Sequence, residues 1–77
     1  MTSEELKQEK KKTFNESATY ALNSIKKMDI PEAARFELMG MVTALQVLHE
    51  EEVQAENPQG RSASQNLIDT ILYALLS

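Results

Sequence analysis

The stretch FELMGMVTALQVL, residues Phe36–Leu48, is apolar on nearly every side of the helix that its composition predicts. At about 100° per residue, its apolar side chains are spread around most of the helix circumference. Glu37, Thr43 and Gln46 are the only polar interruptions. A helix with this pattern is expected to be buried on most of its sides. Glycine costs about 1 kcal/mol in a helix interior relative to alanine, so we interpret Gly40 as the mark of a close helix crossing.

Two further helices are predicted, one on each side of this central helix. In the first, six apolar residues share an arc about 120° wide, as in an amphipathic helix. They are Phe14, Ala18, Ala21, Leu22, Ile25 and Met28. The central helix is expected to start at Pro31, whose missing N–H is tolerated in a first turn, and to run to about Ala55. Pro58 and Gly60 then predict a turn. The third helix, residues 64–77, is apolar over about 200°, twice the width that one packing face requires.

The predicted fold class is all-α, with three helices per chain, because no segment alternates apolar and polar residues as a half-buried strand does. Residues 13–77 are expected to form a single helical domain. Residues 1–12, which are charged throughout, are expected to form a tail or an extension of the first helix. A chain of 77 residues has a small core, since a domain of this size buries only about 60% of its unfolded surface.

The composition excludes several ways of stabilising so small a core. The chain has no cysteine and a single histidine, His49, so disulfides, thiolate metal sites and histidine-rich metal sites are ruled out. Small proteins also gain stability by oligomerisation, and that route stays open. No cofactor is expected.

Charge and hydropathy limit the partners and the location of the chain. The net charge is −4, and a net acidic protein disfavours nucleic acid as a partner. The N-terminal sequence MTSEELKQEKKK has no apolar segment of the kind that a secretory signal contains. No apolar stretch approaches the roughly 20 residues that cross a bilayer. We therefore expect a cytoplasmic protein with no membrane partner.

The apolar surface of the central and third helices predicts a homodimer. Two neighbouring helices cover at most two sides of the central one, and each large aliphatic side chain left exposed forgoes about 1.5–3 kcal/mol of burial. A second copy, related by a two-fold axis, would make a six-helix dimer and cover the rest. The predicted dimer or partner interface is Phe36, Met39, Met41, Val42, Leu45, Leu48, Ile68, Leu72 and Leu75.

A set of short matches points to one known family. The matches are Leu22-Asn23, Pro31, Gly40, Met41-Val42-Thr43 with Leu45, Gln65, Ala74-Leu75 and Ser77. On these residues, roughly 20–77 of the chain resemble the YejL-like family of small bacterial proteins. The resemblance implies an all-helical homodimer and implies no activity.

One group of polar residues has the spacing of a metal site. His49, Glu52 and Glu56 are three and four residues apart, so they can share a helix face, and helical bundles hold di-metal centres at such spacings. A complete site would need further carboxylates, for which Glu16 and Asp69 are the candidates. The more ordinary interpretation is a histidine at the edge of an interface beside a solvated acidic run, and no metal site is predicted.

Neither catalysis nor DNA reading is predicted from the polar residues. Ser62, Ser64 and Thr70 have no histidine at a recognisable spacing, and helix capping accounts for the serines. With only two glycines there is no glycine-rich phosphate loop. Residues 10–12 are lysines that could contact phosphate, but the third helix has no lysine or arginine, as a DNA-reading helix would need.

The sequence therefore predicts a small non-catalytic protein-interaction module, an adaptor, regulator or inhibitor, that acts as a homodimer. An acidic patch of Glu50, Glu51, Glu52 and Glu56 is a candidate surface for binding another protein. The alternatives are a metal-binding protein that uses His49 and nearby carboxylates, or a weak nucleic-acid-binding dimer with lysine-rich tails.

Overall fold

Three helices pack together in the computed structural model, which describes residues 2–55 and 63–77. They are α1 (Ser3–Lys26), α2 (Glu32–Ala55) and α3 (Ala63–Leu76), and each packs against the other two. The bundle is elongated, 44 × 20 × 15 Å. The described residues contain no strand, so the predicted all-α class with three helices is confirmed.

The face of α1 that packs in the core is the arc predicted from the sequence. Phe14, Ala18, Ala21 and Ile25 have no exposed surface, and Leu22 and Met28 pack against them half-buried. Small residues at Ala18 and Ala21 let the backbone of α1 approach its neighbours closely. Residues 3–12 belong to the same helix, and Thr2 caps it by accepting a hydrogen bond from the Glu5 N–H at 3.1 Å.

α2 is buried on one side, not on most sides as its apolar sequence predicts. The inner side contains three buried residues, Val42, His49 and Val53. Leu38, Met39 and Leu45 pack half-buried against the core. The opposite side is in solvent, and Phe36, Met41, Val47 and Leu48 are exposed there. The two neighbouring helices of the same chain therefore cover only half of α2.

Gly40 does not mark a crossing within the chain. A Cβ atom built on Gly40 meets no atom within 4 Å, so the glycine lies on the uncovered side of α2. The expectation of a close helix crossing at this position is thus wrong for the helices of one chain. At Gly40 the backbone of α2 is exposed to solvent, because glycine has no side chain to cover it.

Arg35 joins the start of α2 to the end of α1. Its Nη1 donates hydrogen bonds to the carbonyls of Ile25 at 2.7 Å and Lys26 at 2.8 Å. Its Nη2 donates to those of Met28 at 3.1 Å and Ile30 at 3.4 Å. The last carbonyls of a helix have no hydrogen-bond partner within the helix, and they carry partial negative charge. A guanidinium supplies both hydrogen-bond donors and a positive charge to these carbonyls. This contact fixes the angle between the two helices.

We expect replacement of Arg35 by alanine to lower the free energy of unfolding by about 2 kcal/mol, since hydrogen bonds to a charged group contribute about 1.5–3 kcal/mol each and water replaces part of them. Arg35→Lys should recover only part of the loss, because an ammonium cannot span four carbonyls as a planar guanidinium does. Urea denaturation at one protein concentration measures both.

The control for this prediction is Glu32→Ala. Glu32 also contacts Arg35, at 2.9 Å from Nε, but its side chain is 66% exposed. An exposed ion pair contributes about 0–1 kcal/mol. Equal losses in Glu32→Ala and Arg35→Ala would mean that the ion pair, rather than the carbonyl contacts, stabilises this corner.

Candidate functional site

His49 lies at the point where the three helices meet. Its ring is 3% exposed and stacks on Phe14 of α1, with ring centroids 4.2 Å apart and an interplanar angle of 9°. Its Nδ1 is 3.0 Å from the Ser64 hydroxyl of α3, and its Nε2 is 3.3 Å from the Lys10 carbonyl of α1. One side chain of α2 therefore contacts both other helices.

The partners of His49 determine its tautomer. A backbone carbonyl can only accept a hydrogen bond, so we assign the proton to Nε2, which donates to Lys10. Nδ1 then accepts from the Ser64 hydroxyl. Because both ring nitrogens are engaged within the chain, neither presents a lone pair to a metal ion. The arrangement is that of a neutral, structural histidine.

Burial lowers the pKa of His49, because a charged imidazolium loses its hydration inside the bundle. The hydrogen bond to the Lys10 carbonyl and the charges of Glu52 and Glu50 act in the opposite direction, and the charge of Lys10 adds to the lowering. The desolvation effect is the largest of these. The folded protein thus holds His49 neutral at pH values where the unfolded chain protonates it.

We expect the free energy of unfolding to fall as the pH is lowered from 7.5 through about 6.5, the ordinary histidine pKa. In that range the unfolded state binds more protons than the folded state, so stability rises with pH and is lost on acidification. The loss should level off below the lowered pKa of the folded state. Urea denaturation at several pH values measures it, and the resonance of the single imidazole reports the folded pKa directly.

His49→Gln is the matched variant for the pH prediction, since glutamine keeps a donor and an acceptor but does not titrate. Its free energy of unfolding should be flat between pH 7.5 and 5.5. If the wild type is equally flat over this range and its imidazole titrates near 6.5, then His49 is not desolvated as the fold indicates.

Glu52 caps α3 from a different helix. Its Oε2 accepts a hydrogen bond from the Ala63 N–H at 2.9 Å, and its Oε1 accepts from the Ser64 N–H at 3.1 Å. A carboxylate at a helix N-terminus satisfies unpaired N–H groups and complements the helix dipole. The predicted serine cap is wrong for Ser64, which lies inside α3 with its hydroxyl on His49. Ser62 lies outside the described residues.

The four glutamates of the predicted acidic patch have different surroundings. Glu50 forms an ion pair with Lys11 of α1 at 3.1 Å. Glu52 caps α3, and Glu51 is exposed. Glu56 lies outside the described part of the chain. Two of the three described carboxylates thus join helices of the same chain, and the patch as a partner surface stays a prediction.

The residues proposed as metal ligands do not form a cluster where the structure describes them. Within 2–55 and 63–77, no three histidine or acidic side chains come close enough to hold a metal ion. Glu16 is exposed on α1, and Asp69 accepts a hydrogen bond from the Gln65 amide at 3.0 Å. Thr70, considered above as a nucleophile, donates its hydroxyl to the Asn66 carbonyl at 2.9 Å.

The predicted interface residues divide into two groups. Val42 and Ile68 are completely buried in the core of the chain, and Met39, Leu45, Leu72 and Leu75 pack half-buried against it. As the chain folds, Val42 and Ile68 are unavailable to a partner. The exposed members are Phe36, Met41 and Leu48, and the structure adds Val47, which the prediction omitted.

The exposed residues define one surface, which we call the outer face of α2. It consists of Phe36, Gly40, Met41, Ala44, Val47 and Leu48. The exposed fractions of its large members are 68% for Phe36, 59% for Val47, 54% for Met41 and 41% for Leu48. These side chains follow one another along about three turns of a single helix. Monomeric proteins rarely leave so continuous an apolar surface in solvent.

No protein-family model, curated protein or solved structure matches the chain. The resemblance to the YejL-like family therefore stays a prediction. None of the helices formed by the described residues is both long and apolar enough to cross a membrane.

Proposed function

We propose that the chain is a non-catalytic protein-interaction module that assembles as a homodimer. The observation that carries the proposal is the outer face of α2, an apolar surface interrupted by Glu37 and Glu51 that the other two helices leave uncovered. The polar residues on the inner side of α2, by contrast, hold the helices together: Arg35 and Glu52 cap helix ends, and His49 bridges α1 and α3.

The energetics favour covering this face. Full burial of a large apolar side chain contributes about 1.5–3 kcal/mol, so four that are half exposed represent several kcal/mol. The total stability of a domain this small is about 4–12 kcal/mol at 0.05–0.15 kcal/mol per residue. Covering the outer face would therefore increase the stability of the folded chain by a large fraction of its total.

The exposed side of α1, by contrast, is suited to solvent. The exposed side of α1 is polar, with Lys12, Asn15, Glu16, Thr19 and Asn23 around a single exposed aromatic, Tyr20. A contrast of this kind, with one apolar face and one polar face on a small chain, supports assembly through α2 with α1 directed outward. In the dimer, α1 is then the surface accessible to a further protein.

Light scattering on a size-exclusion column, over a dilution series, tests the proposal. We expect a mass of two chains at micromolar concentration, and a monomer for Phe36→Ser under the same conditions. Tyr20→Ser is the control, because it removes an exposed aromatic from the polar side of the bundle and should leave the mass of two chains unchanged. A wild-type chain that is monomeric at all concentrations would overturn the homodimer.

A further inference from the structure

Four residues of the outer face form a ridge with a symmetric order of sizes. Phe36, Gly40, Ala44 and Leu48 are spaced four apart, so they lie along one of the rows by which helices pack into each other's grooves. Along this row the sizes are large, small, small, large. The order is the same in either direction, so crossed helices can place the two small residues at their closest approach and the two large ones where the axes diverge.

We propose, resting on the homodimer above, that two copies pack through this ridge with their α2 helices antiparallel, about a two-fold axis between Gly40 and Ala44. In this register Gly40 faces the partner's Ala44, and Phe36 faces the partner's Leu48. Packing of such rows in both helices gives crossing angles of about −50° and axes about 8–10 Å apart. An axis separation of about 8 Å requires small residues at the crossing, and Gly40 and Ala44 are small.

The charges on the face agree with this register. Glu37 and Glu51 are exposed acidic residues beside the outer face, on the same side of α2, and the two-fold axis places them opposite the partner's Val47 and the partner's Ala33. No carboxylate then faces another across the contact. A parallel packing would place Glu37 beside the partner's Glu37 and Glu51 beside the partner's Glu51, and like charges set directly opposite each other cost stability.

The outer face supplies part of the area that a second copy would cover. At about 1.5 Å per residue, the 24 residues of α2 are about 36 Å long, and a helix with its side chains is about 10 Å across. One side of α2 thus offers several hundred Å², and a stable interface needs about 800 Å² from each partner. The proposed dimer therefore also needs half-exposed residues beside the outer face to be covered.

Site-specific cross-linking tests the register. Because the chain has no native cysteine, only the introduced cysteines react with the cross-linker. Glu37→Cys and Val47→Cys are prepared separately, mixed to allow exchange of subunits, and treated with a bis-maleimide shorter than about 15 Å. In the antiparallel register the two cysteines of a mixed dimer are neighbours. Two copies of one cysteine are about 15 Å apart, since ten residues separate positions 37 and 47 at 1.5 Å each.

We expect a covalent dimer in the mixture and none with either variant alone. Phe36→Cys with Leu48→Cys repeats the test on the ridge itself, and Glu37→Cys mixed with Asn23→Cys of α1 is the negative control. Linking by each variant alone would overturn the antiparallel register. An unlinked mixture of chains that light scattering shows to be dimeric would overturn the use of this face. A monomeric wild type would overturn the proposed function as well, so the two failures are distinguishable.

Discussion

Replacement of Phe14 by alanine is expected to remove a large share of the protein's stability. Phe14 has no exposed surface and lies in the middle of the core, where it stacks on His49. Truncating a buried phenylalanine costs about 3–5 kcal/mol, because apolar contacts are lost and a cavity is left. A chain of 77 residues has about 4–12 kcal/mol in total, so a loss of that size removes about a quarter or more of its stability.

Far-ultraviolet circular dichroism with urea denaturation measures this loss, at a fixed protein concentration because dimerisation couples stability to concentration. Tyr20→Ala is the control on the same helix. Tyr20 is 54% exposed, so its truncation should change the free energy of unfolding by less than about 0.5 kcal/mol. If the two variants are equally stable, then Phe14 does not pack as the structure describes.

The sequence predicts α1 well because its two sides differ in composition. Apolar residues recur there at three- and four-residue intervals, and lysine, asparagine and threonine fill the other side. Period and polarity then point to the same buried face, and the structure buries Phe14, Ala18, Ala21 and Ile25. Propensity and packing agree for such a helix, so its orientation follows from pattern alone.

The orientation of α2 could not be predicted in the same way. Its apolar residues lie on both sides, and the side that is buried also contains the polar residues Arg35, His49 and Glu52. A prediction from hydrophobic periodicity places each of these three residues on the exposed side of the helix. In the structure each one turns inward to a hydrogen bond with the backbone of another helix: the end of α1 for Arg35, the Lys10 carbonyl for His49 and the start of α3 for Glu52. Such partners are distant in sequence and leave no local signal.

For the same reason, only some of the residues predicted for the interface are exposed. Phe36, Met41 and Leu48 are exposed, but Val42 and Ile68 pack inside the chain. Periodicity shows that α2 has more apolar surface than two neighbours cover. It does not show which surface they cover, since that depends on the polar contacts that orient the helix. Gly40 illustrates the point, because a crossing was predicted at a position that is open within one chain.

Replacement of Gly40 by leucine is expected to separate the dimer while leaving the fold of each chain intact. Within the chain a Cβ at this position meets nothing within 4 Å, so a larger side chain clashes with no residue of its own subunit. Leucine also favours the helix by close to 1 kcal/mol over glycine. At a crossing where axes are about 8–10 Å apart, however, a leucine opposite the partner's Ala44 prevents the helices from approaching.

The dissociation constant of the proposed dimer should rise at least about 100-fold, equivalent to about 2.8 kcal/mol at 1.4 kcal/mol per factor of ten. Sedimentation equilibrium measures it. The helix content of the dissociated chain should equal that of the wild type. Gly40→Ala should have an intermediate effect, since one methyl group widens the crossing less than an isobutyl group does. Asn23→Leu, which adds the same side chain to the exposed side of α1, should leave the dissociation constant unchanged.

Gly40→Leu has two expected effects of opposite sign, since it weakens the proposed dimer and stabilises the helix of each chain. A variant that disturbs the core would lower helix content and dimer affinity together. Gly40→Leu should instead give a folded monomer whose intrinsic helix stability is equal or higher, because Gly40 is open within the chain and, in the proposed dimer, is covered only by the second copy. If Gly40→Leu keeps the mass of two chains at dilutions where the wild type does, the outer face of α2 is not the surface that joins them.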